Sequence, residues 1–574
     1  MTTTLTGIAV SPGLATAPAL VLRTQAPAFD RSPIPEGSAN RELARLKAAM
    51  AASAEQLTSI MERVRVKMGE EQAAIFEGHL MILEDEELAE ALEEKIRDQR
   101  HNAPAAVEAV CEEHATALEQ LDDEYLRARA VDMRDMSRRV VLNCLGIVPT
   151  SLSTIDTEVV LVADDLTPSQ TAVLDPAMVR AIITEKGNRT SHTAIMAASM
   201  EIPAIVGTPA ALSSISDGDM VAVDAEANVI LVNPSGEELQ AFDERRASFE
   251  REREELAALR DLPAVTTDGV RIKLAANVGS PEDAAPAAAK GAEGVGLYRV
   301  EFLFMERTES PSEEEQYKAF KSVVETMGDH PVVIRTLDVG GDKDLPYMAL
   351  PHEENPFLGC RGIRLCFERT KVFQTQLRAM LRAGMHGNVR IMVPMIASLD
   401  EVRAFKEALA QAAASLEAEG VEYARDLPLG IMVETPAAAL LAHLFAKEVD
   451  FFSIGTNDLT QYTLAVDRMN TRIADLYEPL SPAVLQAIKL AADAARQEGK
   501  GICVCGQMAG EVASALLLIG MGVHELSMSA VHIPRIKKAV REHSSEELQQ
   551  LAETILALPT AAEVKAALDK LLNK

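Results

Sequence analysis

Residues 183–200, ITEKGNRTSHTAIMAASM, join an apolar strand-like run to a helix-like segment through a short polar loop. Thr190 and Ser191, at the end of that loop, are residue types that cap helices. This order predicts that His192 lies at a helix N-terminus, where open backbone N–H groups and the helix dipole favour an anion. The stretch therefore predicts an α/β domain with a candidate anion-handling histidine at a strand-to-helix turn.

The residues beside His192 favour a nucleophilic imidazole. Arg189 stands three residues before it and adds positive charge to that of the helix N-terminus. Positive surroundings favour a neutral imidazole, which can attack phosphorus, and they would stabilise a phosphoryl group once it is attached. A lone histidine at a helix start is more often a capping or surface residue. The assignment of His192 therefore depends on the rest of the chain.

The neighbouring segments predict an α/β domain interrupted by helices. Strand-like runs occur at residues 5–22, 158–163, 179–184, 203–207, 220–224 and 228–232. Between 38 and 145, Gly and Pro are nearly absent and apolar residues recur at helical spacing. We expect residues 1–26 and 146–234 to form the α/β domain, with 27–145 inserted as a bundle of long antiparallel helices. Apolar stripes in such a bundle are usually its core, although an insertion can also present a docking face to a partner.

A highly charged segment, residues 235–262, follows this domain. Its thin apolar stripe through Phe242 and Phe249 predicts a solvated helix that links two domains, and Pro263 ends it. We expect the two ends of this linker helix, residues 233–236 and Pro263, to act as hinges.

The remaining residues, 263–574, alternate strand-like and helix-like runs. The strand-like runs are RIKLAANVG, GVGLYRVEFL, VVIRTLDVG, RIMVPMI, LGIMVETP, FFSIGTNDL, GICVCGQM and ELSMSAV. Helix-length connections separate them, as a (β/α)₈ barrel of the TIM type requires. The predicted fold class is therefore multidomain α/β: a swivelling α/β domain carrying His192, an inserted helical bundle, a linker helix and a C-terminal (β/α)₈ barrel.

Polar residues cluster at the C-terminal ends of the predicted barrel strands. They are Arg299, Glu301, Arg335, Asp338, Glu434, Asn457, Asp458 and Cys505. Because barrel enzymes carry their catalytic groups on that face, this clustering predicts an active site. Arginines that can bind phosphate or carboxylate through paired hydrogen bonds are Arg299, Arg335, Arg361 and Arg468. Any single one could be an ordinary surface residue, whereas two buried at strand ends would need an anion.

Two carboxylates and a thiol complete the predicted site. Glu434 and Asp458 follow consecutive predicted strands, where they could share one hard divalent cation, and Mg²⁺ fits best. The alternative is that each carboxylate pairs with an arginine for structural reasons. Cys505 follows the seventh predicted strand, where a thiol can give a proton to a carbon centre. A buried structural thiol is the alternative, and it suits Cys503 better.

Composition argues against several classes of protein. The formal net charge of −31 argues against general nucleic-acid binding and favours a neutral or basic protein partner. The six cysteines show neither C-x-x-C pairs nor zinc-ligand spacing. No apolar run is long enough to span a bilayer, and no export signal is visible at the N-terminus. A cytoplasmic protein without membrane insertion is expected.

These segments together resemble Enzyme I of the bacterial phosphoenolpyruvate-dependent sugar phosphotransferase system. The resemblance covers essentially the whole chain, through RTSHTAIMA, GAEGVGLYRVEFLF, GGDKDLPYM, ENPFLGCRGIR, GIMVETPAA, FFSIGTNDLTQYTLAVDR, CGQMAG and SMSAVHIPRIKK. No single motif is decisive, but their joint order is highly specific. The resemblance implies that phosphoenolpyruvate phosphorylates a histidine, which passes the phosphoryl group to the small histidine phosphocarrier protein docked on the helical subdomain.

The resemblance also implies a role for each site residue. His192 is the phosphorylated residue, and Thr171 is its hydrogen-bond partner. Phosphoenolpyruvate contacts Arg299, Arg335, Asn457, Asp458 and Arg468, while the ligands of Mg²⁺ are Glu434 and Asp458. Cys505 donates the proton that converts enolpyruvate to pyruvate, and the family works as a homodimer joined through the barrel. Because His192 must meet both the barrel and the carrier, a swing of its domain is expected.

The chain departs from the family pattern at a few positions. Asn188 stands where a second glycine is common. Gln507 stands where a glutamate is expected. The loss of that carboxylate would alter the chemical environment of the Cys505 thiol more than it would alter the type of reaction. Val300 and Cys360 are interpreted as packing variations.

Two rival interpretations share part of this sequence pattern. A pyruvate-phosphate dikinase or phosphoenolpyruvate synthase relative shares the histidine domain and the barrel, but it needs a further nucleotide-binding domain, for which no glycine-rich loop is present. A catalytically silent sensor that binds phosphoenolpyruvate and a partner protein is the alternative from another class. The presence of every expected catalytic residue argues against it.

Overall fold

The structure is a computed structural model that describes residues 2–22, 29–68, 70–120, 124–147, 152, 155–171, 174–188, 191–305, 307–340, 345–348, 350–470 and 472–572. The chain divides into two compact units, Met1–Glu252 and Arg253–Lys574. Each unit has hydrophobic core clusters of its own.

The first unit contains an eight-stranded sheet. Its strands are β1 (Thr3–Leu5), β2 (Ile8–Ser11), β3 (Leu14–Leu22), β4 (Val159–Ala163), β5 (Val179–Thr184), β6 (Ala204–Val206), β7 (Met220–Asp224) and β8 (Val229–Val232). Their order is β1-β8-β7-β3-β4-β5-β6-β2, with β3 to β6 parallel and the other neighbours antiparallel. Strand β4 is buried at every residue because both faces of the sheet are covered there, which explains its unbroken apolar sequence.

A helical bundle lies between β3 and β4 in the chain. Its helices are α1 (Ala39–Met68), α2 (Glu70–Leu83), α3 (Glu86–Arg97), α4 (Ala103–Glu119) and α5 (Glu124–Leu145). Asp85 caps α3 by accepting a hydrogen bond from the N–H of Leu88, and Asn102 caps α4 in the same way. Because β3 and β4 are hydrogen-bonded neighbours, the bundle leaves and re-enters the sheet at one place.

Three short helices accompany the later strands of the first unit, and a long helix ends it. The short helices are α6 (Pro168–Thr171), α7 (His192–Ser199) and α8 (Ala211–Ser214), and the long one is α9 (Gly236–Ala258). Phe242 of α9 is buried against Leu14 of the sheet, and Arg245 forms an ion pair with Asp224 at 2.8 Å. The first half of α9 is therefore anchored to the first unit, whereas the sequence predicted a solvated helix.

The segment before α9, residues 233–236, is held by contacts within the same unit. The side chain of Asn233 donates to the carboxylate of Asp219 at 2.9 Å and accepts from the N–H of Met220 at 3.1 Å. The structure thus gives no support for a free hinge at this point.

The segment after α9 is held in the second unit. Lys537 donates to the carbonyl of Arg260 at 2.6 Å, and Arg541 donates to the carbonyl of Pro263 at 2.8 Å. Both expected hinge segments are therefore held by contacts within a unit, and the boundary between the units falls inside α9, after Glu252.

The second unit is a closed barrel of eight parallel strands, which confirms the predicted fold class. The strands are β10 (Arg271–Val278), β11 (Val295–Tyr298), β12 (Val332–Arg335), β13 (Val389–Val393), β14 (Leu429–Val433), β15 (Phe451–Ile454), β16 (Gly501–Val504) and β17 (Glu525–Met528). Each pairs with the next, and β17 pairs with β10 to close the barrel. Strand β9 (Ala264–Val265) adds an antiparallel partner to β10. Every strand-like run predicted for this region is a barrel strand.

Helices of the second unit pack on the outer faces of these strands in one large core. They are α10 (Ala284–Ala289), α11 (Glu313–Met327), α12 (Ile363–Glu368), α13 (Thr370–Ala383), α14 (Leu399–Glu419), α15 (Pro436–Leu440), α16 (Ala442–Phe445), α17 (Thr456–Leu464), α18 (Pro482–Gln497), α19 (Val512–Gly520), α20 (Ile533–Glu542), α21 (Ser545–Leu556) and α22 (Ala561–Leu572). In the part of the chain that the structure describes, no helix combines the length and apolar character needed to span a membrane.

A separate small apolar cluster fills the barrel interior. It consists of Leu297, Val333, Met392, Met432, Phe451 and Cys505, contributed by successive strands. This cluster closes the barrel below its C-terminal face, so the polar residues at the strand ends line a pocket and not a pore.

Candidate active site

The C-terminal face of the barrel holds a polar cavity of about 290 Å³. Its lining includes Arg299, Glu301, Arg335, Asp338, Arg361, Glu434, Asn457, Asp458, Arg468 and Cys505. The structure therefore brings together every barrel residue that the sequence singled out. A larger cavity of about 880 Å³ adjoins it, and Arg299, Cys505 and Gln507 line both cavities. A small molecule can therefore reach the polar cavity through the larger one.

Two buried arginines are held by a shared carboxylate. Arg335, at the end of β12, contacts Asp338 at 3.1 Å and Glu301 at 3.0 Å. Arg361 contacts the same Asp338 at 3.0 Å. Burial opposes the charge of both guanidinium groups, but the neighbouring carboxylates outweigh it and raise the pKa of each arginine. Both therefore remain cations inside the protein.

Two further arginines lie closer to solvent on the same cavity. Arg299 follows β11 directly and is exposed. Arg468 is half-buried and lies 3.7 Å from Asp458. Together with Arg335 and Arg361, these side chains place four guanidinium groups on the cavity beside its carboxylates. Guanidinium groups suit a small molecule that bears phosphate and carboxylate groups.

Glu434 sits at the end of β14 with one oxygen unpaired. Its Oε1 accepts a hydrogen bond from the N–H of Met395 at 2.6 Å, whereas its buried Oε2 has no hydrogen-bond partner among the described residues. Met395 adopts a positive φ of 58°, an uncommon backbone conformation for a side chain of this kind. Burial, followed by the charges of Asp458 and Asp338, raises the pKa of Glu434. A buried carboxylate oxygen without a donor fits a bound cation.

Asp458, in the first turn of α17, is the second candidate metal ligand. It contacts Arg361 at 3.2 Å, so the alternative of a structural pairing with arginine also has support. The described residues contain no group of three or more His, Cys, Asp or Glu arranged to hold a metal ion. This donor set fits a cation that takes its remaining ligands from substrate oxygens and water, as Mg²⁺ commonly does.

Cys505 follows β16 and is almost fully buried. Its Sγ lies 3.6 Å from the carbonyl of Ile454, and Asn277 donates to its backbone carbonyl at 3.0 Å. Burial raises the pKa of the Cys505 thiol, more than Ser453 and the nearby Arg335 lower it. The thiol therefore keeps its proton, which is the state required of a proton donor.

The histidine stretch lies in the first unit, as the sequence predicted. Helix α7 begins at His192, and Ser191 caps it by accepting from the N–H of Ala194 at 3.4 Å. Arg189, Thr190 and the side chain of His192 lie outside the described residues. Thr171, the expected partner of His192, is buried and donates to the carbonyl of Thr167 at 3.2 Å. The pairing of Thr171 with His192 stays a prediction.

Sequence reasoning missed two groups that position the site. The Met395 N–H, which holds Glu434, left no sequence signal because any residue supplies a backbone N–H. Asn277, near the end of the first barrel strand, could have been found by the rule that selected the other strand-end residues.

Comparison with known proteins agrees with the fold and the site. Residues 253–545 match the family described as PEP-utilising enzyme, PEP-binding domain, residues 6–129 match its N-terminal domain, and residues 155–228 match its mobile domain. A phosphoenolpyruvate-protein phosphotransferase of Haemophilus influenzae is 47% identical over 99% of both chains. This chain belongs to the phosphoenolpyruvate-protein phosphotransferases.

Other members of the family are similar to this chain over nearly their whole length. The phosphoenolpyruvate-protein phosphotransferase of Geobacillus stearothermophilus is 47% identical, covering 98% of this chain and 97% of its own. That of Staphylococcus carnosus is 45% identical, covering 97% of both chains. The phosphotransferase family is thus supported by a match to the full multidomain arrangement and not to the barrel alone.

Proposed function

We propose that this phosphotransferase moves the phosphoryl group of phosphoenolpyruvate (PEP) to His192, releases pyruvate, and then phosphorylates a histidine phosphocarrier protein in the first step of a sugar-uptake phosphorelay. The observation that carries this proposal is the cavity at the barrel's C-terminal face, which holds four arginines, a buried carboxylate oxygen without a hydrogen-bond partner among the described residues, and a protonated thiol. These are the groups that a reaction on a phosphorylated enol requires.

Arginines supply the binding energy for PEP. Arg299, Arg335 and Arg468 are the proposed ligands of the anionic groups of PEP. The amide NH₂ of Asn457 adds an uncharged hydrogen-bond donor. Because Arg335 is already fixed by carboxylates, its guanidinium loses little conformational freedom on binding. Asp458 lies between Arg361 and Arg468 and so faces both the substrate and the proposed metal.

Glu434 and Asp458 are the residues that would hold Mg²⁺. When bound, the ion would neutralise charge on the phosphoryl and enolate oxygens. The role of the protein is to hold the two carboxylates in position, and the Met395 N–H serves this purpose for Glu434.

Cys505 delivers the proton that completes pyruvate. Removal of the phosphoryl group leaves an enolate, whose terminal carbon must gain a proton to become the methyl group. The buried thiol holds a proton at neutral pH and lies on the cavity wall, so it can protonate that carbon from one side.

Partner and assembly are assigned through the family resemblance. The helical bundle is the proposed docking site of the phosphocarrier protein. The barrel is the proposed dimerisation domain, and apolar side chains exposed on it, such as Leu358, Met469 and Leu476, are consistent with a protein contact. A cytoplasmic location is proposed with them. The rival dikinase has no specific observation in its favour.

Labelled PEP tests the proposal directly. The protein is incubated with PEP carrying radioactive phosphate and Mg²⁺, with and without a purified phosphocarrier. We expect an acid-labile, base-stable phosphoryl bond on the protein that is chased onto the carrier, and His192→Ala should abolish labelling. Undiminished labelling of that variant would overturn the assignment of His192, and pyruvate formation without any labelled protein would overturn the function.

A further inference from the structure

The backbone of the candidate proton donor is held from two sides of the barrel. Cys505 directly follows β16, whose pairing with β17 ends at Val504. On one side, the Cys505 N–H donates to the carbonyl of Ile454 at 3.1 Å. On the other side, the side chain of Asn277 donates to the carbonyl of Cys505 at 3.0 Å. The two backbone polar groups of Cys505 are thus bound to residues of β15 and β10.

The Asn277 amide reaches Cys505 across an intervening strand. Strand β17 lies between β10 and β16 in the barrel. The neighbours of Asn277 in β10, Ala276 and Val278, pack with the outer helices. Because successive side chains of a strand point to opposite faces, the Asn277 side chain points into the barrel. It therefore binds the carbonyl group of a residue that lies just beyond the ladder between β16 and β17.

A buried hydroxyl group fixes the orientation of this amide. Ser527 of β17 is fully buried, and its hydroxyl donates to Oδ1 of Asn277 at 2.6 Å. A carbonyl oxygen can only accept a hydrogen bond, so the NH₂ group of Asn277 must face Cys505. Its Oδ1 then faces Ser527. The Asn277 amide therefore has one orientation that satisfies both partners.

Tight packing limits the movement of both Ser527 and the segment after β16. A Cβ added at Gly296 of β11 would lie 2.5 Å from both Cβ and Oγ of Ser527, so the missing side chain at position 296 makes room for that serine. Gly506, which follows Cys505, is packed as closely, because a Cβ there would collide with the hydroxyl of Thr456. The segment that carries the thiol thus has little room to shift.

We propose that Asn277 and Ser527 are positioning residues that hold the Cys505 thiol against one face of the enolate. This inference rests on the proposed function, in which Cys505 protonates that enolate. The terminal carbon of the enolate is planar, so a proton can reach it from either face. The backbone of Cys505 is tied to two strands, and its side chain belongs to the apolar cluster of the barrel interior. Such a thiol approaches the carbon from one face only.

The proton transfer balances without any oxidation or reduction. The S–H bond of Cys505 breaks and a C–H bond forms on the terminal carbon, while the enolate C–O bond becomes the carbonyl double bond of pyruvate. The thiolate left on Cys505 then takes a proton from water in the cavity. Asn277 and Ser527 exchange no proton with the substrate, and they act through the position of the thiol.

The handedness of a labelled methyl group measures this positioning. The full-length protein is equilibrated in tritiated water and given Mg²⁺ and PEP that carries one deuterium at a defined position on its terminal carbon. Pyruvate is reduced to lactate as it forms, which prevents exchange of its methyl hydrogens. Proton delivery to one face gives methyl groups of one handedness, whereas enolpyruvate that escapes into water is protonated on both faces. We expect one handedness from the wild-type protein.

Asn277→Leu tests the contact with Cys505. It keeps the approximate volume of the side chain but removes the donor to the Cys505 carbonyl. A small displacement of a reacting group can cost about 100-fold in rate, so we expect proton delivery in the site to slow at least about tenfold. Methyl groups of both hands should then appear in the product, while phosphoryl labelling of the protein by PEP should continue.

Ser527→Ala tests the orientation of the amide. It leaves the donor of Asn277 in place but removes the hydroxyl that fixes Oδ1, so it should give a smaller share of the second hand than Asn277→Leu does. This variant also keeps the proposal testable if Asn277→Leu does not fold.

Ser514→Ala is the matched control for a packing effect. Ser514 of α19 is also fully buried, and its hydroxyl donates to Glu511 at 2.7 Å. The control should give one handedness at the wild-type rate of pyruvate formation. Melting temperatures compare the stability of the three variants.

The outcomes separate the positioning role from the function on which it rests. One handedness in wild type and control, with both hands in Asn277→Leu and Ser527→Ala, supports the positioning role. One handedness at the wild-type rate in Asn277→Leu and Ser527→Ala overturns it, while the role of Cys505 stands. Both hands in Ser514→Ala as well would assign the loss to packing and overturn it too. Both hands in the wild-type product would overturn proton delivery by Cys505, and the positioning role with it.

Discussion

The backbone N–H of Gln507 donates a hydrogen bond to Oδ1 of Asn457 at 3.1 Å. This contact occupies an acceptor of the Asn457 amide and leaves its NH₂ group available to the cavity. The side chain of Gln507 is itself exposed. The residue type at position 507 therefore matters less to the orientation of Asn457 than the path of the backbone does.

Asn457→Asp should raise the KM for PEP by about 10- to 100-fold. The carboxylate can still accept from the N–H of Gln507, but the donor facing the substrate is lost and a negative charge replaces it. Hydrogen bonds to charged groups are worth about 1.5–3 kcal/mol, which corresponds to that range. Steady-state kinetics measure the change, and Gln507→Glu is the matched control, expected to leave KM nearly unchanged. A larger effect in Gln507→Glu than in Asn457→Asp would contradict this interpretation.

Mg²⁺ should bind more weakly as the pH falls. Because burial and neighbouring carboxylates raise the pKa of Glu434, the metal-free protein holds a proton there that the cation must displace. The apparent affinity for Mg²⁺ should therefore increase with pH through this raised pKa and decrease below it. Calorimetric titration of Mg²⁺ in the presence of PEP, from about pH 6 to about pH 9, measures this slope.

Glu434→Gln serves as the test variant for that titration. It keeps the size of the side chain but cannot ionise, so both the affinity and its pH dependence should fall. Glu448→Gln, which removes a carboxylate paired with Arg403 and Lys406, is the control and should leave the titration unchanged. An unaltered pH slope in Glu434→Gln would exclude Glu434 as the titrating ligand.

Cys505→Ser should slow pyruvate formation by at least about 100-fold, while PEP binding changes little. Proton delivery by a positioned side chain contributes about 10²- to 10⁴-fold to rate, and it is not needed for ground-state binding. Rapid-quench measurement of pyruvate, beside a binding titration with PEP, separates the two. Cys360→Ser, at a half-buried thiol that contacts Glu368, is the control. Equal pyruvate rates in Cys505→Ser and wild type would leave Cys505 as a structural thiol.

Phe242→Ala should destabilise the first unit without affecting the barrel. Phe242 is 6% exposed, and truncation of a buried Phe costs about 3 kcal/mol or more. At roughly 2–4 °C per kcal/mol, its unfolding transition should fall by roughly 6–12 °C. Scanning calorimetry measures the transitions of the two units. Phe249→Ala, at a half-buried position of the same helix, should have the smaller effect, and the reverse order would show that Phe242 does not anchor α9.

Phosphoryl transfer should require two arrangements of the units. The proposed function asks His192 to meet a pocket on the barrel and then a protein partner that is too large for that pocket. We would link the units through engineered cysteines in two alternative positions and assay each half-reaction. One cross-linked form should accept phosphate from PEP only, and the other should exchange phosphate with the carrier only. A single cross-linked form that performs both at normal rates would contradict the swivel.

Local sequence patterns were sufficient for most of the fold. Strands β4 and β14 are continuous apolar runs because both faces are buried, and such runs are visible without a structure. The candidate site residues could be selected because catalytic groups of a barrel usually follow its strands, and Glu434 and Cys505 follow β14 and β16. Both signals depend only on a few consecutive residues.

Long-range contacts explain what the sequence did not reveal. The anchoring of α9 depends on the packing of Phe242 against Leu14, which lies more than two hundred residues away in the chain. No local sequence pattern predicts that contact. In the same way, the hydrogen bond from Met395 to Glu434 joins two loops through a backbone group. Cys503 was interpreted as a small apolar residue because its sequence neighbours are apolar, whereas its neighbours across the sheet are Ser453 and Glu525.

The continuity of α9 makes the connection between the units sensitive to helical phase. A flexible linker accepts an added residue with a small change in reach, but an intact helix rotates everything beyond the insertion by about 100° and advances it by about 1.5 Å. With the first half of α9 fixed to one unit and the residues after it fixed to the other, a one-residue insertion near Glu252 would rotate one unit about the helix axis, while an insertion of eleven residues, about three turns, would nearly cancel that rotation. An insertion in this connection would therefore have to preserve the helical phase of α9 more than its length.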